Sequence, residues 1–393
     1  MRPTLAAALL LTGLVAGCQT LPRPERRVIV TDFYPTTPDG WTLAVKRFHL
    51  SWENAGPDMS RLPVILCHGL NCNGRYWDLT EETSLARYLA LNGYDVWVPS
   101  LRGAGASTKP GYFVVREMMA LRLPNLNQML NLPAIADPSK FNWSFDDYAL
   151  KDLPTIIDEV KKNTAKSKVL WVGHSMGGMA MYAYLERSGR SDVQAFVALG
   201  SPIHIPQPPN AVYAAVVKNR QMFRLGQALL SGQLPATLSS IPARQPMDTF
   251  YYNRQNMKSD VIRRFLLEVV EDVPDGVIAQ LLTVAETGYL LSADYKYDYT
   301  AELGRVGVPV LCVAGKGDNM AEPAGVRFAY QHVGSQDKTY RELSLVNGFS
   351  ADYGHMDLVL GRRAREEVFP VIYKWLRERD GGKPDRAFGF LPK

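Results

Sequence analysis

The chain contains 393 residues, of which 46% are hydrophobic and 21% are charged, as is typical of a globular protein. The formal net charge is only +5 and the Lys and Arg residues form no dense block, which argues against nucleic acid as a partner. The sequence has no CxxC pair and no clustered His/Cys set, so it predicts neither a metal site nor another cofactor.

The N-terminus resembles a bacterial lipoprotein signal over residues 1–17. Arg2 supplies a positive start, residues 5–15 form an apolar run too short to span a bilayer, and small residues precede Cys18. The resemblance implies cleavage before Cys18, a lipid on its sulfur, and a membrane-anchored protein of the cell envelope. Gln19 favours the outer membrane. A signal peptide with a coincidental cysteine is the alternative.

Residues 22–202 alternate between apolar runs and helical patterns, which predicts the first part of an α/β core. Two antiparallel strands come first, and buried strands then alternate with helices, as in a mostly parallel, doubly wound sheet. The predicted strands are 28–31, 41–49, 64–67, the run "YDVWVPSLRGAG" that ends in a Gly-rich loop, 168–173 and the run "VQAFVALGSP". An irregular excursion is expected over 106–142, and Pro154 should bend or split the helix that follows it.

Buried strand runs stop after residue 202, and helical stripes replace them over 203–299. We interpret this region as an inserted helical cap over the site, although the stripes alone also fit core-facing helices. Strand patterns resume over 300–380, which predicts the second part of the core, and 381–393 form a loose tail.

The sequence Gly173-His174-Ser175-Met176-Gly177 fits the pattern G-x-S-x-G, with a strand before it and a helix after it. The nucleophile of such a motif occupies a sharp, strained turn, and the glycines let strand and helix approach each other. Ser175 is therefore the predicted nucleophile.

The base should follow the last strands of such a fold, and His355 follows a strand and a loop and precedes a helix. His332 is also late in the chain but lies within a helical run. Asp318, directly after a late strand, is the predicted acid that orients His355, in the order Ser, Asp, His. Asp352 and Asp357 are the competing acids.

The oxyanion hole requires two backbone donors, predicted to be the N–H groups of Met176 and Leu70. His68 lies two residues before Leu70. It is expected to shape the loop of Leu70 through hydrogen bonds and not to act as the base. Cys67 is expected to be buried and unreactive, and a Cys67–Cys72 disulfide is the alternative.

These motifs together resemble the α/β-hydrolase-fold lipases and esterases, most closely the acid (gastric and lysosomal) lipases. The resemblance rests on "TPDGWTLAVKRFH", "LCHGLNCNGRYW", "NGYDVWVPSLRG", "WSFDDYALKDLPTIIDEV", "VGHSMGG" and the Asp318 and His355 segments. It implies an α/β-hydrolase fold and hydrolysis of apolar carboxylic esters through an acyl-enzyme. Those lipases usually have Gln where this chain has Met176.

The predicted function is therefore a serine carboxylic-ester hydrolase that acts on small-molecule or lipid esters. An acyltransferase of the same fold is one alternative, because the Asp-Leu-Pro helix and "GHMDLVLG" also resemble polyhydroxyalkanoate synthases. Those enzymes have a cysteine as the nucleophile, and Ser175 argues against that assignment. A non-catalytic, lipid-anchored binding protein is the second alternative.

Overall fold

The computed structural model describes residues 26–54, 56–109, 142–210, 214, 218 and 248–382. The signal segment, most of the predicted excursion, the part of the cap between 219 and 247, and the end of the tail lie outside the described residues. None of the helices in the described part of the chain is long and apolar enough to cross a membrane.

The described strands form one sheet in the order β1-β2-β4-β3-β5-β6-β7-β8. Their bounds are β1 Val28–Phe33, β2 Val45–Leu50, β3 Val64–Cys67, β4 Val96–Pro99, β5 Val169–His174, β6 Val193–Leu199, β7 Val310–Gly315 and β8 Lys338–Leu343. β1 pairs antiparallel with β2 and β2 antiparallel with β4, and all other neighbours are parallel. This topology confirms the predicted α/β-hydrolase fold.

The helices of the core connect these strands and cover both faces of the sheet. They are α1 Leu85–Leu91, α2 Phe145–Asp147, α3 Leu153–Thr164, α4 Met176–Arg187, α8 Pro323–His332, α9 Asp357–Leu360, α10 Ala364–Glu367 and α11 Phe369–Arg377, with α5 to α7 in the cap region at Asp248–Tyr251, Ser259–Glu268 and Asp275–Thr287. Short 3-10 helices lie at Trp52–Asn54, Gly74–Asp78, Arg254–Asn256, Ala301–Arg305 and Leu345–Asn347.

Two apolar clusters, one on each face of the sheet, hold these layers together. One contains Ile65, Trp97, Trp171, Phe196 and Cys312 with side chains of α3, α4, α7 and α8. The other contains Leu66, Val98, Val172, Val197 and Val313 with side chains of α1, α6 and α11. Burying one large apolar side chain contributes roughly 1.5–3 kcal/mol. Helix α7 packs in the first cluster and α6 in the second, so these two helices lie on opposite faces of the sheet.

The helical run over 145–164 contains the irregularity expected near Pro154. Ser144 and Asp147 form a capping box at its start. The Asp147 carboxylate accepts from the backbone N–H of Ser144 at 2.8 Å and from its hydroxyl at 3.1 Å. A π-helical turn occupies Tyr148–Asp152, and Pro154 lies in the first turn of α3, where its missing N–H costs no hydrogen bond. The chain after β8 contains three short helices, α9 to α11.

Candidate active site

Ser175 lies at the junction between β5 and α4, with φ of 52° and ψ of −121°. A non-glycine residue in this region carries strain of about 1–3 kcal/mol, which the surrounding structure must hold. Its own backbone is fixed on both sides: its N–H donates to the Leu199 carbonyl at 2.9 Å, and its carbonyl accepts from Gly178 and Met179. Ser175 is 8% exposed.

The glycines around Ser175 permit this sharp turn. A Cβ at Gly173 would lie 2.5 Å from the backbone of Gly177, and a Cβ at Gly177 would lie 2.5 Å from the carbonyl oxygens of Cys67 and His68. Either side chain would push α4 away from the strands. Ser175 therefore lies on a tight turn from strand to helix, with a strained backbone.

His355 and Asp318 form a buried hydrogen-bonded pair at the same edge of the sheet, with 2.8 Å between His355 Nδ1 and Asp318 Oδ2. Asp318 follows β7, and its other oxygen accepts from the N–H groups of Met320 and Ala321 at 2.9 and 2.7 Å. The carboxylate is thus held at both oxygens, and the ring of His355 donates from Nδ1. The free nitrogen of the neutral ring is then Nε2, the atom that a general base requires.

The Nε2 atom of His355 is buried and has no hydrogen-bond partner among the described residues. An unpartnered buried ring nitrogen costs free energy unless it has a function or a ligand. The loop of His355 is joined to the elbow, because the ring of His174 bonds the His355 carbonyl at 3.1 Å and the two ring centroids lie 4.5 Å apart.

His174 directly precedes Ser175 and has a structural role. A carbonyl can only accept, so its Nε2 carries the proton, and burial holds the pKa of the ring well below its usual range. His174 therefore stays neutral and joins Ser175's turn to the loop of His355.

The loop that carries Leu70 packs directly on Ser175, because a Cβ at Gly69 would lie 2.9 Å from the Cβ of Ser175. The N–H of Met176 is at the start of α4, where a backbone donor has no partner within the helix. His68 shapes this loop: its Nε2 accepts from Leu101 N–H at 3.0 Å and its Nδ1 donates to the Gly69 carbonyl. Burial lowers the pKa of His68 to about 4, so the ring is neutral.

The competing acids are bonded elsewhere. Asp352 Oδ1 accepts from Leu345 N–H at 3.0 Å, and the two oxygens of Asp357 accept from residues of the cap region and of its own loop. Among the described residues, Asp318 is the carboxylate whose bond to the His355 ring is observed. His332 is exposed at the end of α8 and bonds the Phe328 carbonyl.

Cys67, Cys72 and Cys312 are free and buried, so the alternative of a Cys67–Cys72 disulfide is not observed. Burial raises the pKa of all three thiols, that of Cys312 to about 12, which keeps them protonated and unreactive. In the described part of the chain, no three His, Cys, Asp or Glu side chains are grouped so that they could hold a metal ion.

Sequence reasoning missed the residues that attach the cap to these loops. Asn253, Asn256 and Glu271 bond the loops of His355 and Leu70 from positions far away in sequence, and Asp357 was considered only as a rival acid. No local pattern marks such partners. The one feature visible in the sequence was that Asp357 lies two residues after His355, which places its carboxylate in the loop of the predicted base.

The family model described as "alpha/beta hydrolase fold" matches residues 63–343. The chain belongs to the α/β-hydrolase fold family. This family match covers the segments that carry Ser175, Asp318, the strands β3 to β8 and the cap region.

Relatives of this α/β hydrolase include triacylglycerol lipase 1 of Arabidopsis thaliana, 24% identical over 87% of this chain and 86% of the relative. Human gastric triacylglycerol lipase is 32% identical, but the similarity covers 37% of this chain and 32% of the lipase. Among solved structures, a thermophilic esterase from Thermogutta terrifontis has a TM-score of 0.56 at 18% identity, over 89% of this chain and 99% of the esterase. At that identity the structural likeness shows the fold alone.

Proposed function

We propose that this α/β hydrolase is a serine carboxylic-ester hydrolase of the lipase and esterase type. The similarity to a triacylglycerol lipase along most of the chain supports an ester substrate. The observation that carries the proposal is the strained Ser175 at the sheet edge where His355 bonds Asp318 and keeps Nε2 free. Apolar acyl esters are the proposed substrates, since the relatives named above are triacylglycerol lipases.

The proposed reaction begins with attack of the Ser175 hydroxyl oxygen on the ester carbonyl carbon. His355 Nε2 takes the hydroxyl proton and then gives it to the leaving alcohol, while Asp318 stabilises the charged ring. The N–H groups of Leu70 and Met176 stabilise the oxyanion, and one such donor contributes about 3 kcal/mol to transition-state stabilisation. Water, activated by His355, then hydrolyses the acyl-enzyme and releases the acid.

Replacement of the nucleophile tests the proposal. Ser175→Ala should lower kcat for p-nitrophenyl esters by about 10⁶-fold, since the components of such a triad act as a unit. A fluorophosphonate probe should label the wild-type chain at Ser175. Normal turnover by the Ser175→Ala variant would contradict the proposed nucleophile. A wild-type chain that neither turns over esters nor reacts with the probe would favour a non-catalytic binding protein.

The substrate class within the esters is open to direct measurement. Hydrolysis across a series of acyl chain lengths, both dissolved and emulsified, separates the two types. A sharp rise on emulsions indicates a lipase, and a preference for short dissolved esters indicates an esterase. Addition of competing alcohols distinguishes hydrolysis from acyl transfer.

We also propose that the chain is anchored to a membrane of the cell envelope by a lipid on Cys18. Support for this anchor comes from the N-terminal pattern of a positive start, an apolar run of 5–15 and small residues before the cysteine.

A further inference from the structure

One part of the cap region connects the two loops of the proposed active site. Residues 251–271, here named the bridging segment, contain a 3-10 turn and the helix α6. The apolar side of α6, with Val261, Ile262 and Phe265, is buried in the core cluster that covers one face of the sheet. The bridging segment is therefore part of the packed core and not an exposed flap.

The beginning of the bridging segment holds the loop of His355. The N–H of Met356 donates to the Tyr251 carbonyl at 2.8 Å, and the side-chain amide of Asn253 donates to the Asp352 carbonyl at 3.0 Å. These bonds lie on either side of His355 in sequence. A Cβ at Gly354 would lie 2.6 Å from the Asn253 nitrogen, so the two backbones are in close contact.

Asp357 is the carboxylate at the centre of this attachment. It is fully buried, and its oxygens accept from the N–H groups of Asn253 and Gly354 at 3.1 and 2.9 Å and from the Asn256 amide at 2.7 Å. No Lys or Arg in the described residues forms an ion pair with it. A buried carboxylate requires such donors, because its desolvation is otherwise costly. The donor groups of Asn253, Gly354 and Asn256 must therefore stay within hydrogen-bond distance of Asp357.

The other end of the bridging segment holds the loop of Leu70. The N–H of Glu271 donates to the carbonyl of Asn71, whose φ of 58° is left-handed, and the N–H of Asn73 donates to the Val269 carbonyl. The Glu271 side chain accepts from the Asn73 amide and from the N–H of Gly105, both at 2.8 Å. The conformation of the residue directly after Leu70 is thus supported from the cap.

We infer that the bridging segment is a fixed strut that positions His355 relative to the oxyanion loop, and that Asp357 and Glu271 are the positioning residues at its two ends. The inference rests on the proposed serine hydrolase function. Movement of this segment would break both attachments at once. Neither carboxylate touches the substrate.

The first test replaces Asp357. In Asp357→Asn an amide N–H₂ group replaces one carboxylate oxygen, and at least one of the three donors loses its acceptor. We expect the loop of His355 to shift as a result. A displacement of about 1 Å costs roughly 100-fold in rate, and we expect that fall in kcat with KM for a p-nitrophenyl ester unchanged. Asp352→Asn is the control, because its side chain bonds only within the same loop.

The second test replaces Glu271. Glu271→Ala leaves the N–H of Gly105 without its acceptor and removes one of the two acceptors of the Asn73 amide, and it should lower kcat at unchanged KM. Glu268→Ala is the matched control on the same segment, since its carboxylate bonds the half-exposed Arg75 and Arg264. Unchanged kcat in both Asp357→Asn and Glu271→Ala would overturn the inference. Activity that persists in Ser175→Ala would overturn the proposed function instead.

Hydrogen exchange on the unmodified full chain tests the strut if the variants fail to fold. The N–H groups of Met356 and Glu271 should exchange as slowly as those of β5, both before and after a fluorophosphonate reacts with the site. Fast exchange of these two groups in the free protein would show a moving lid and overturn the inference.

Discussion

At the scale of single residues, the direction of each hydrogen bond decides what a side chain can do. Asp318 accepts at both oxygens, from two backbone N–H groups at one and from His355 at the other. Only an acceptor at the second oxygen keeps the proton of the ring on Nδ1. The proposed base therefore depends on the charge state of a residue that never meets the substrate.

Asp318→Asn changes that direction with almost no change in shape. The two backbone donors fix the amide oxygen on their side, so the amide N–H₂ group faces Nδ1 of His355. The ring then carries its proton on Nε2 and cannot accept one from Ser175. We expect kcat to fall on the order of 10⁴-fold in p-nitrophenyl ester hydrolysis. An unchanged kcat would assign the orienting acid elsewhere, with Asp352 and Asp357 as the candidates.

Glu186, outside the proposed site, links stability to pH. It is 5% exposed, and neither of its oxygens has a hydrogen-bond partner among the described residues. Burial, together with the nearby Glu302, raises its pKa to about 9. The folded state therefore keeps a proton that the unfolded chain releases above its ordinary pKa of 4.5. The free energy of unfolding falls by up to about 1.4 kcal/mol per pH unit between these values.

Glu186→Gln should remove this contribution. The variant should gain stability over the wild type at pH 8 and differ little from it well below pH 4.5, where the wild-type side chain is protonated in both states. Urea unfolding at several pH values measures the difference in slope, and Glu53→Gln, at an exposed position, is the control. Parallel pH profiles for Glu186→Gln and the wild type would contradict a buried, protonated Glu186.

At the scale of elements, a buried ion pair fixes the loop after β4 to the helical run over 145–164. Arg102 donates to Asp152 from both its backbone N–H and its side chain, and it also bonds Asp39. The side chains of Arg102 and Asp152 are almost completely buried, whereas that of Asp39 is partly exposed. The preceding residue, Leu101, donates to His68, so the pair also supports the loop of Leu70.

Removal of either carboxylate should separate the buried contribution from the exposed one. Asp152→Ala leaves Arg102 buried without its closest partner and should lower the free energy of unfolding by about 3–5 kcal/mol. Asp39→Ala removes a partly solvated partner and should cost about 1 kcal/mol or less. Urea unfolding of both variants at pH 7 measures these values. Equal losses would show that Asp152 and Asp39 contribute alike.

The sequence predicts elements well where local patterns decide them. A continuous apolar run predicts β3 with the observed bounds, and the run "VQAFVALGSP" contains β6. Pro154 predicts a bend or a split in its helix, and the structure has a π-helical turn before it. The placement of α6 and α7 in opposite core clusters was not predictable, because helical stripes show which side is apolar but not which surface covers it. The attachments made by Asn256 and Glu271 were not predictable for the same reason, because their partners lie far away in sequence.

At the scale of the whole molecule, the direction of the parallel strands separates the site from the N-terminus. Ser175 and His355 follow the carboxyl ends of β5 and β8, as Asp318 follows that of β7. β1 begins at Val28, which lies opposite Leu50 at the end of β2. The end of β2 in turn lies beside the beginning of β4, because Phe48 pairs with Val96. The described chain therefore enters at the amino edge of the parallel strands, the edge opposite to the site.

A lipid on Cys18 would hold that amino edge at the membrane. The connection from Cys18 to Arg26 spans at most about 28 Å when extended, whereas a chain of this length folds to a body about 50 Å across. Trp52, 61% exposed, follows β2 at the same edge and is of a residue type that favours membrane interfaces. The proposed site then opens toward the aqueous side, away from the anchoring bilayer.

Cys18→Ser tests the anchor and, with it, this orientation. The variant should move from the membrane fraction to the soluble fraction, while kcat/KM for a dissolved ester stays unchanged because the site lies at the opposite edge. The anchored wild type, reconstituted in vesicles, should hydrolyse an ester lipid in separately added vesicles at least as fast as the same lipid in its own bilayer. Retention of Cys18→Ser in the membrane fraction would contradict the anchor. Faster hydrolysis within the anchoring bilayer would contradict the orientation, because a site at the far edge cannot reach the lipids beside its own tether.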